Sequence, residues 1–274
     1  MHVHALICFS SRPGMGNPAL VIEGAAPDID TRQAFARARG TTCVFIDEDE
    51  DADEGSGVAQ VDFFYPHTRS PLCLHATLAV AAVLFGRPDA PAAIAVETAL
   101  KGQRLMLTRE GSDYFVRLAP QPVPDIAITP AQAGTLLNAA ATALPSAPRL
   151  ASIGSPKLLV EVADTDTLYA LAPDLPAIAA WSREHGINGL YAWCRRPDGD
   201  YEGRNFNHLD PALEDSATGV AAGALSVALG HGLVLRQGRN SGRDCLIRTR
   251  FEGDALLVGG AAQADAEGSG QTSR

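Results

Sequence analysis

Cys73-Leu-His75-Ala-Thr-Leu-Ala-Val-Ala-Ala-Val-Leu84 decides the fold, because a counterpart returns about 145 residues later as Thr218-Gly-Val220-Ala-Ala-Gly-Ala-Leu-Ser-Val-Ala-Leu229. Each copy is a polar or small-residue mouth that runs straight into a helix of Ala, Leu and Val. Such a helix has no face suited to water and must be surrounded on all sides. Its amino end offers unpaired N–H groups and a partial positive charge, which suit an anionic ligand. One such helix in each half predicts a duplicated architecture with a site where the two mouths meet.

The chain of 274 residues can hold one large domain or two ordinary ones, and its 46% hydrophobic content allows real cores. A net charge of −10 argues against a nucleic-acid surface, which needs a basic face. Much of that charge sits in residues 47–54, an acidic run read as a solvated hairpin tip or loop. It lacks the glycine turn and ligand spacing of a calcium loop, so no metal site is expected. Five cysteines, scattered and without CxxC spacing, fit a reducing compartment better than a disulfide framework. The amino terminus lacks a signal-peptide pattern and no apolar run reaches the length of a membrane span, so a soluble, cytoplasmic protein with no membrane partner is expected. Gly14-Met-Gly16 is not followed by the remaining glycine of a dinucleotide fingerprint, and no cofactor is expected there.

Short strands are read at residues 3–9, 18–23, 41–47, 58–65, 93–97, 104–108 and 113–118, with a helix over 30–39. Ala119-Pro-Gln-Pro-Val-Pro-Asp125 holds three prolines in seven residues and reads as the linker. It divides the chain into halves at residues 1–121 and 122–262. The second half carries helices over 130–140 and 174–184, a turn and then a strong strand within 150–162, and strands at 189–195, 234–236, 244–250 and 255–258. Residues 198–204 read as a turn with polar flanks, 206–216 as a loop, and 263–274 as a disordered tail. This is not the strand–helix rhythm of a Rossmann fold. At the helix mouths, the duplication would bring His75 and Asp215 to opposite sides of one cleft, as two titratable groups positioned for proton transfer.

Several further segments fall in a telling order: Gly16-Asn-Pro-Ala19, Thr41 to Ile46, Leu72-Cys-Leu-His-Ala-Thr-Leu-Ala79, Ser152-Ile-Gly-Ser-Pro-Lys-Leu-Leu-Val160, Glu214-Asp-Ser-Ala-Thr-Gly219, Gln237-Gly238 and Val258-Gly-Gly260. Together they resemble the phenazine-biosynthesis isomerase family (PhzF-like proteins), which shares the fold of diaminopimelate epimerase. The resemblance implies an α+β fold of two pseudo-symmetric domains, each a curved mixed sheet around a central helix, with the active site between them. It implies no cofactor, no metal, a small carboxylate-bearing substrate and a homodimer. His75 and Asp215 match residues that the family uses in its site. Asn17, Thr42, Cys73, Leu74, Thr218, Gly219 and Val220 fall on positions expected to line the substrate.

The departures shape the chemistry. The family's glutamate base falls on Thr42, and a hydroxyl cannot take a proton from carbon at neutral pH without an activating base. Leu74 replaces a glycine, Val220 a serine, Ser216 a proline, and Arg69 stands where a glutamate is common. The related epimerases use two facing thiols. Cys73 occupies the first position but Thr218 the second, so a two-thiol epimerase is not expected. The leading expectation is an isomerase that moves a double bond in a natural-product pathway, for instance one building unsaturated or alkylated proline units. An epimerase using Cys73 with Asp215, and a silent relative that binds a small acid, are the alternatives. Asp47, Asp62 and Glu214 are the carboxylates that could replace the lost glutamate, although each is expected on a solvated strand end or in a loop.

Overall fold

The computed structural model describes residues 1–24, 28–47, 58–207 and 213–265. Two compact units emerge, one of Met1–Arg117 with the chain from Gly259 onward, the other of Leu118–Val258.

In the first unit, β1 (His2–Cys8), β2 (Asn17–Glu23), β3 (Thr42–Asp47), β4 (Ala59–Tyr65), β6 (Ala93–Thr98), β7 (Arg104–Glu110) and β8 (Asp113–Leu118) follow one another across the sheet, with the short β5 (Thr68–Ser70) beside β4. Pairing runs antiparallel (β1–β2), parallel (β2–β3), antiparallel (β3–β4), parallel (β4–β6) and antiparallel (β6–β7). Each parallel step needs a crossover. The helix α1 (Ile29–Arg39) supplies the first and α2 (Leu74–Phe85) the second. The apolar α2 packs against β1, β2, β3 and also β7, so the sheet curves around it. On the outer face, α1 covers Ile22, Cys43, Phe45 and Phe64 with Ala36.

The second unit repeats the scheme. Its strands are β9 (Arg149–Ala151), β10 (Lys157–Glu161), β11 (Leu190–Arg195), β12 (Tyr201–Phe206), β13 (Val234–Gln237) and β14 (Cys245–Glu252). They pair antiparallel, parallel, antiparallel, parallel and antiparallel, the same succession as in the first unit. The crossovers are α4 (Thr165–Ala170) with α5 (Leu175–His185), and then α6 (Gly219–Leu229). The central α6 touches β9, β10 and β14, which lie at the two ends of that strand order. The outer layer joins α5 and α3 (Pro130–Leu137) through Leu136, Leu137 and Ile178 to Leu158, Val160 and Leu190. The α+β, epimerase-like architecture expected from the resemblance is therefore present.

Some local expectations change. Residues 201–204, read as part of a turn, and Phe206, read as the start of a loop, belong to β12, and every residue of that strand is buried. Its two charged side chains are paired outside the strand, which offsets the cost of burying them. Glu202 accepts from Tyr169 Oη at 2.6 Å and pairs with Arg196, while Arg204 grips Glu214. The final strand, β15 (Ala255–Ala264), runs past the start set for the tail, pairing Ala262, Gln263 and Ala264 with Cys8, Ile7 and Leu6. Backbone ladder bonds hold it there, and so the chain from Gly259 belongs with the first unit rather than the second. The acidic run beyond Asp47 lies outside the described residues.

Candidate active site

The two central helices differ from the others at their amino ends. Side chains of Asp28, Thr129, Asp164 and Asp174 accept first-turn N–H groups of α1, α3, α4 and α5. Neither Cys73 on α2 nor Thr218 on α6 makes a side-chain cap. Such a cap typically contributes about 1 kcal/mol, so both helices forgo it where backbone donors suit an anion.

In the first unit, Cys73 Sγ lies 3.3 Å from His75 Nδ1, with both residues buried. Thr77 Oγ1 donates to the Cys73 carbonyl at 2.8 Å and fixes the first turn. Leu74, in place of a glycine, is buried beside them. Thr42 opens β3 and Asn17 opens β2. The parallel register Ala19↔Thr42 makes these two strand starts neighbours, and both side chains are buried.

None of the three carboxylates considered as a substitute for the family glutamate lacks a cation. Asp62 is 3% exposed, not solvated as expected, and accepts Arg69 Nε at 2.7 Å and Nη2 at 3.0 Å. Arg32 reaches it at 3.5 Å and also forks onto Asp47 at 2.6 and 2.7 Å. Arg69 thus has a structural duty where the family commonly carries a glutamate. Glu214 takes both prongs of Arg204, at 3.0 and 2.9 Å. Each of these carboxylates serves as the anchor of a guanidinium.

Asp215 is held differently. Thr218 Oγ1 donates to Asp215 Oδ2 at 2.8 Å. Gln237 Nε2 donates to the Asp215 carbonyl at 2.7 Å and to Thr218 Oγ1 at 3.0 Å, while Gln237 Oε1 accepts from Thr218 N at 3.1 Å and from Tyr191 Oη at 2.9 Å. Tyr191 reaches Gln237 because β12 carries Gly203 beneath it. A Cβ on Gly203 would sit 2.3 Å from the phenolic oxygen. Burial pushes that phenol well above its ordinary pKa, so it acts as a fixed donor. Gly219 and Val220 form the first turn of α6.

One residue of this cluster escaped the sequence reading. Lys157 opens β10 and is 1% exposed, on the sheet face that also carries Tyr191 and Asn205. Its ammonium donates to the Asn188 carbonyl and, at 2.9 Å, to Asn205 Oδ1. Burial pushes the amine down to about 7, with the charge of Asp215 acting in the opposite direction. The available signal was its place at the head of Lys157-Leu-Leu-Val160, a strand buried on both faces, where even the first position points inward.

His75 lies in the first unit and Asp215 in the second. The structure joins Cys73 with His75, and Asp215 with Thr218. Among the described residues, no group of three or more His, Cys, Asp or Glu side chains could hold a metal ion, and no helix is long and apolar enough to cross a membrane. All five cysteines are buried and outside any disulfide.

Residues 6–268 match the family described as "Phenazine biosynthesis-like protein". The uncharacterized isomerase YddE of Escherichia coli strain K12 is 30% identical over 271 residues, covering 89% of this chain and 88% of its own. Trans-2,3-dihydro-3-hydroxyanthranilate isomerase of Pseudomonas fluorescens is 26% identical over 290 residues, covering 99% of this chain and 97% of its own. The crystal structure of the Bacillus anthracis phenazine biosynthesis protein of the PhzF family superposes with a TM-score of 0.78 at 20% identity, covering 96% of this chain and 97% of that one.

Proposed function

The chain belongs to the phenazine biosynthesis-like family, and from that premise we propose that it is a cofactor-independent isomerase that moves a double bond in a small carboxylate-bearing substrate by removing and returning a proton. Asp215 is the group that carries the proton. His75 orients the substrate or serves as the partner acid. The substrate carboxylate rests on backbone N–H groups at an uncapped helix mouth, Leu74 on α2 or Gly219 and Val220 on α6, with Asn17, Thr42 and Cys73 lining the substrate. The pathway is one of natural-product biosynthesis, with unsaturated or alkylated proline units as the preferred substrate type.

The observation that carries this reading is the setting of Asp215. Its side chain accepts the Thr218 hydroxyl beside the uncapped amino end of α6, where backbone donors can hold the substrate carboxylate next to it. A carboxylate at that helix mouth is placed to serve as the general base. With Thr42 in place of the family glutamate, Asp215 is the remaining base, and the substrate therefore carries an acidified C–H, as one next to a carbonyl or imine is.

The test is a screen of unsaturated cyclic carboxylates, trans-2,3-dihydro-3-hydroxyanthranilate included, incubated with the protein in deuterium oxide and followed by proton NMR. Double-bond migration with deuterium incorporated at carbon is the expected result. Deuterium uptake with inversion and no migration would replace the isomerase by an epimerase, and no turnover across the screen would contradict both.

A further inference from the structure

Lys157 is an anomaly of charge. Its side chain is fully enclosed, yet its two hydrogen-bond partners, the Asn188 carbonyl and Asn205 Oδ1, are neutral, and among the described residues no carboxylate lies within 4.0 Å of its nitrogen. Buried ammonium groups are ordinarily paired, because an uncompensated charge in the interior costs several kcal/mol. Asn205 adds a second open valence. Only its oxygen can face the ammonium, so the amide nitrogen points elsewhere, and that nitrogen is buried without a partner. Buried unpartnered donors are uncommon, and this one belongs to the side chain that touches the uncompensated ammonium.

The pair stands on the central-helix face of the second unit. Asn205 is in register with Tyr191, Tyr191 bonds to Gln237, and Gln237 bonds to Thr218 at the start of α6. Asp215 is the acid whose charge Lys157 feels.

We propose that Lys157 and Asn205 form a two-donor seat for a carboxylate oxygen of the substrate, the ligand supplying the counter-charge that the chain withholds. The seat deepens the isomerase reading and rests on its carboxylate-bearing substrate, adding a charged side chain to the backbone donors of α6. Because both side chains are enclosed, the ligand reaches them only when the residues above them move. Association is then slower than the usual range for a preformed site.

The experiment is calorimetric titration of the intact protein with benzoate, the simplest ring carboxylate, and with benzamide, its uncharged counterpart. The wild-type protein is expected to prefer benzoate. Lys157→Met, close to an isostere, should weaken benzoate at least tenfold and leave benzamide unchanged. Asn205→Leu should weaken benzoate as well. A general loss of structure would reduce both ligands together, and thermal unfolding of each variant separates that case. Equal benzoate affinity in Lys157→Met, or no benzoate binding to the wild type at about 10 mM (about tenfold above the upper end, about 1 mM, of typical Michaelis constants), overturns the seat. Benzoate binding through Lys157 in a protein that fails every isomerisation assay would uphold the seat and sink the isomerase, so the two failures are distinguishable.

Discussion

Thr218 occupies the cap position of α6, yet its hydroxyl points away from the helix and donates to Asp215 Oδ2 at 2.8 Å. A residue type suited to capping a helix here serves an acid three positions upstream. Two consequences meet at one place: a helix mouth without a side-chain cap, and a carboxylate that accepts the hydroxyl of the cap residue.

Replacing that hydroxyl separates orientation from folding. Thr218→Val removes the bond to Asp215 without removing a helix cap, since none is made. Turnover is expected to fall about 10- to 100-fold, the range of a lost general-base alignment, while unfolding free energy changes by about 1 kcal/mol or less. Steady-state kinetics beside urea denaturation checks both. A fall in stability of several kcal/mol at unchanged turnover would place Thr218 in the scaffold alone.

The arginine–carboxylate pairs of the first unit divide by burial. Asp62→Ala would take the carboxylate from Arg69 and leave Arg32 to Asp47, a loss of about 3 kcal/mol. Asp47 has a side chain 39% exposed, so Asp47→Ala is expected to cost about 1 kcal/mol or less. Guanidinium denaturation of the two variants compares them. Similar costs would show that Asp62 is not the structural anchor its burial indicates.

Lys157 makes stability depend on pH in a defined direction. Its folded pKa is about 7, down from an ordinary value of 10.5, so between those values the unfolded chain binds one proton more than the folded chain. Unfolding free energy then rises with pH over that window, by up to about 1.4 kcal/mol per unit, and the contribution is flat below it. The slope is expected to disappear in Lys157→Met, with denaturation measured from pH 6 to 10. Equal slopes in both proteins would mean that the amine is not held in a depressed state.

The sequence disclosed what repeats and what is chemically uniform. Two helices of Ala, Leu and Val have no solvent face, and their duplication foretold two sheets, each closing on a helix. The motifs from Gly16-Asn-Pro to Val258-Gly-Gly260 carried the family. Residues whose burial depends on a distant partner were opaque. Tyr201-Glu-Gly-Arg-Asn-Phe206 is too polar for a buried strand until Tyr169, Arg196, Glu214 and Lys157 are brought to it. Lys157 hid for the same reason, since a lysine after a proline reads as surface. Gln263 and Ala264 are held by backbone pairing with β1, which leaves no side-chain pattern to read. Gln237 appeared only as a motif letter, and its link from Tyr191 to Thr218 required coordinates.

The most direct measurement is the turnover of Asp215→Asn on the substrate found in the deuterium oxide screen. Asparagine keeps the shape of the side chain and cannot accept the proton, so double-bond migration and deuterium incorporation are expected to fall together by at least about 100-fold. Full wild-type turnover in that variant would show that another group moves the proton.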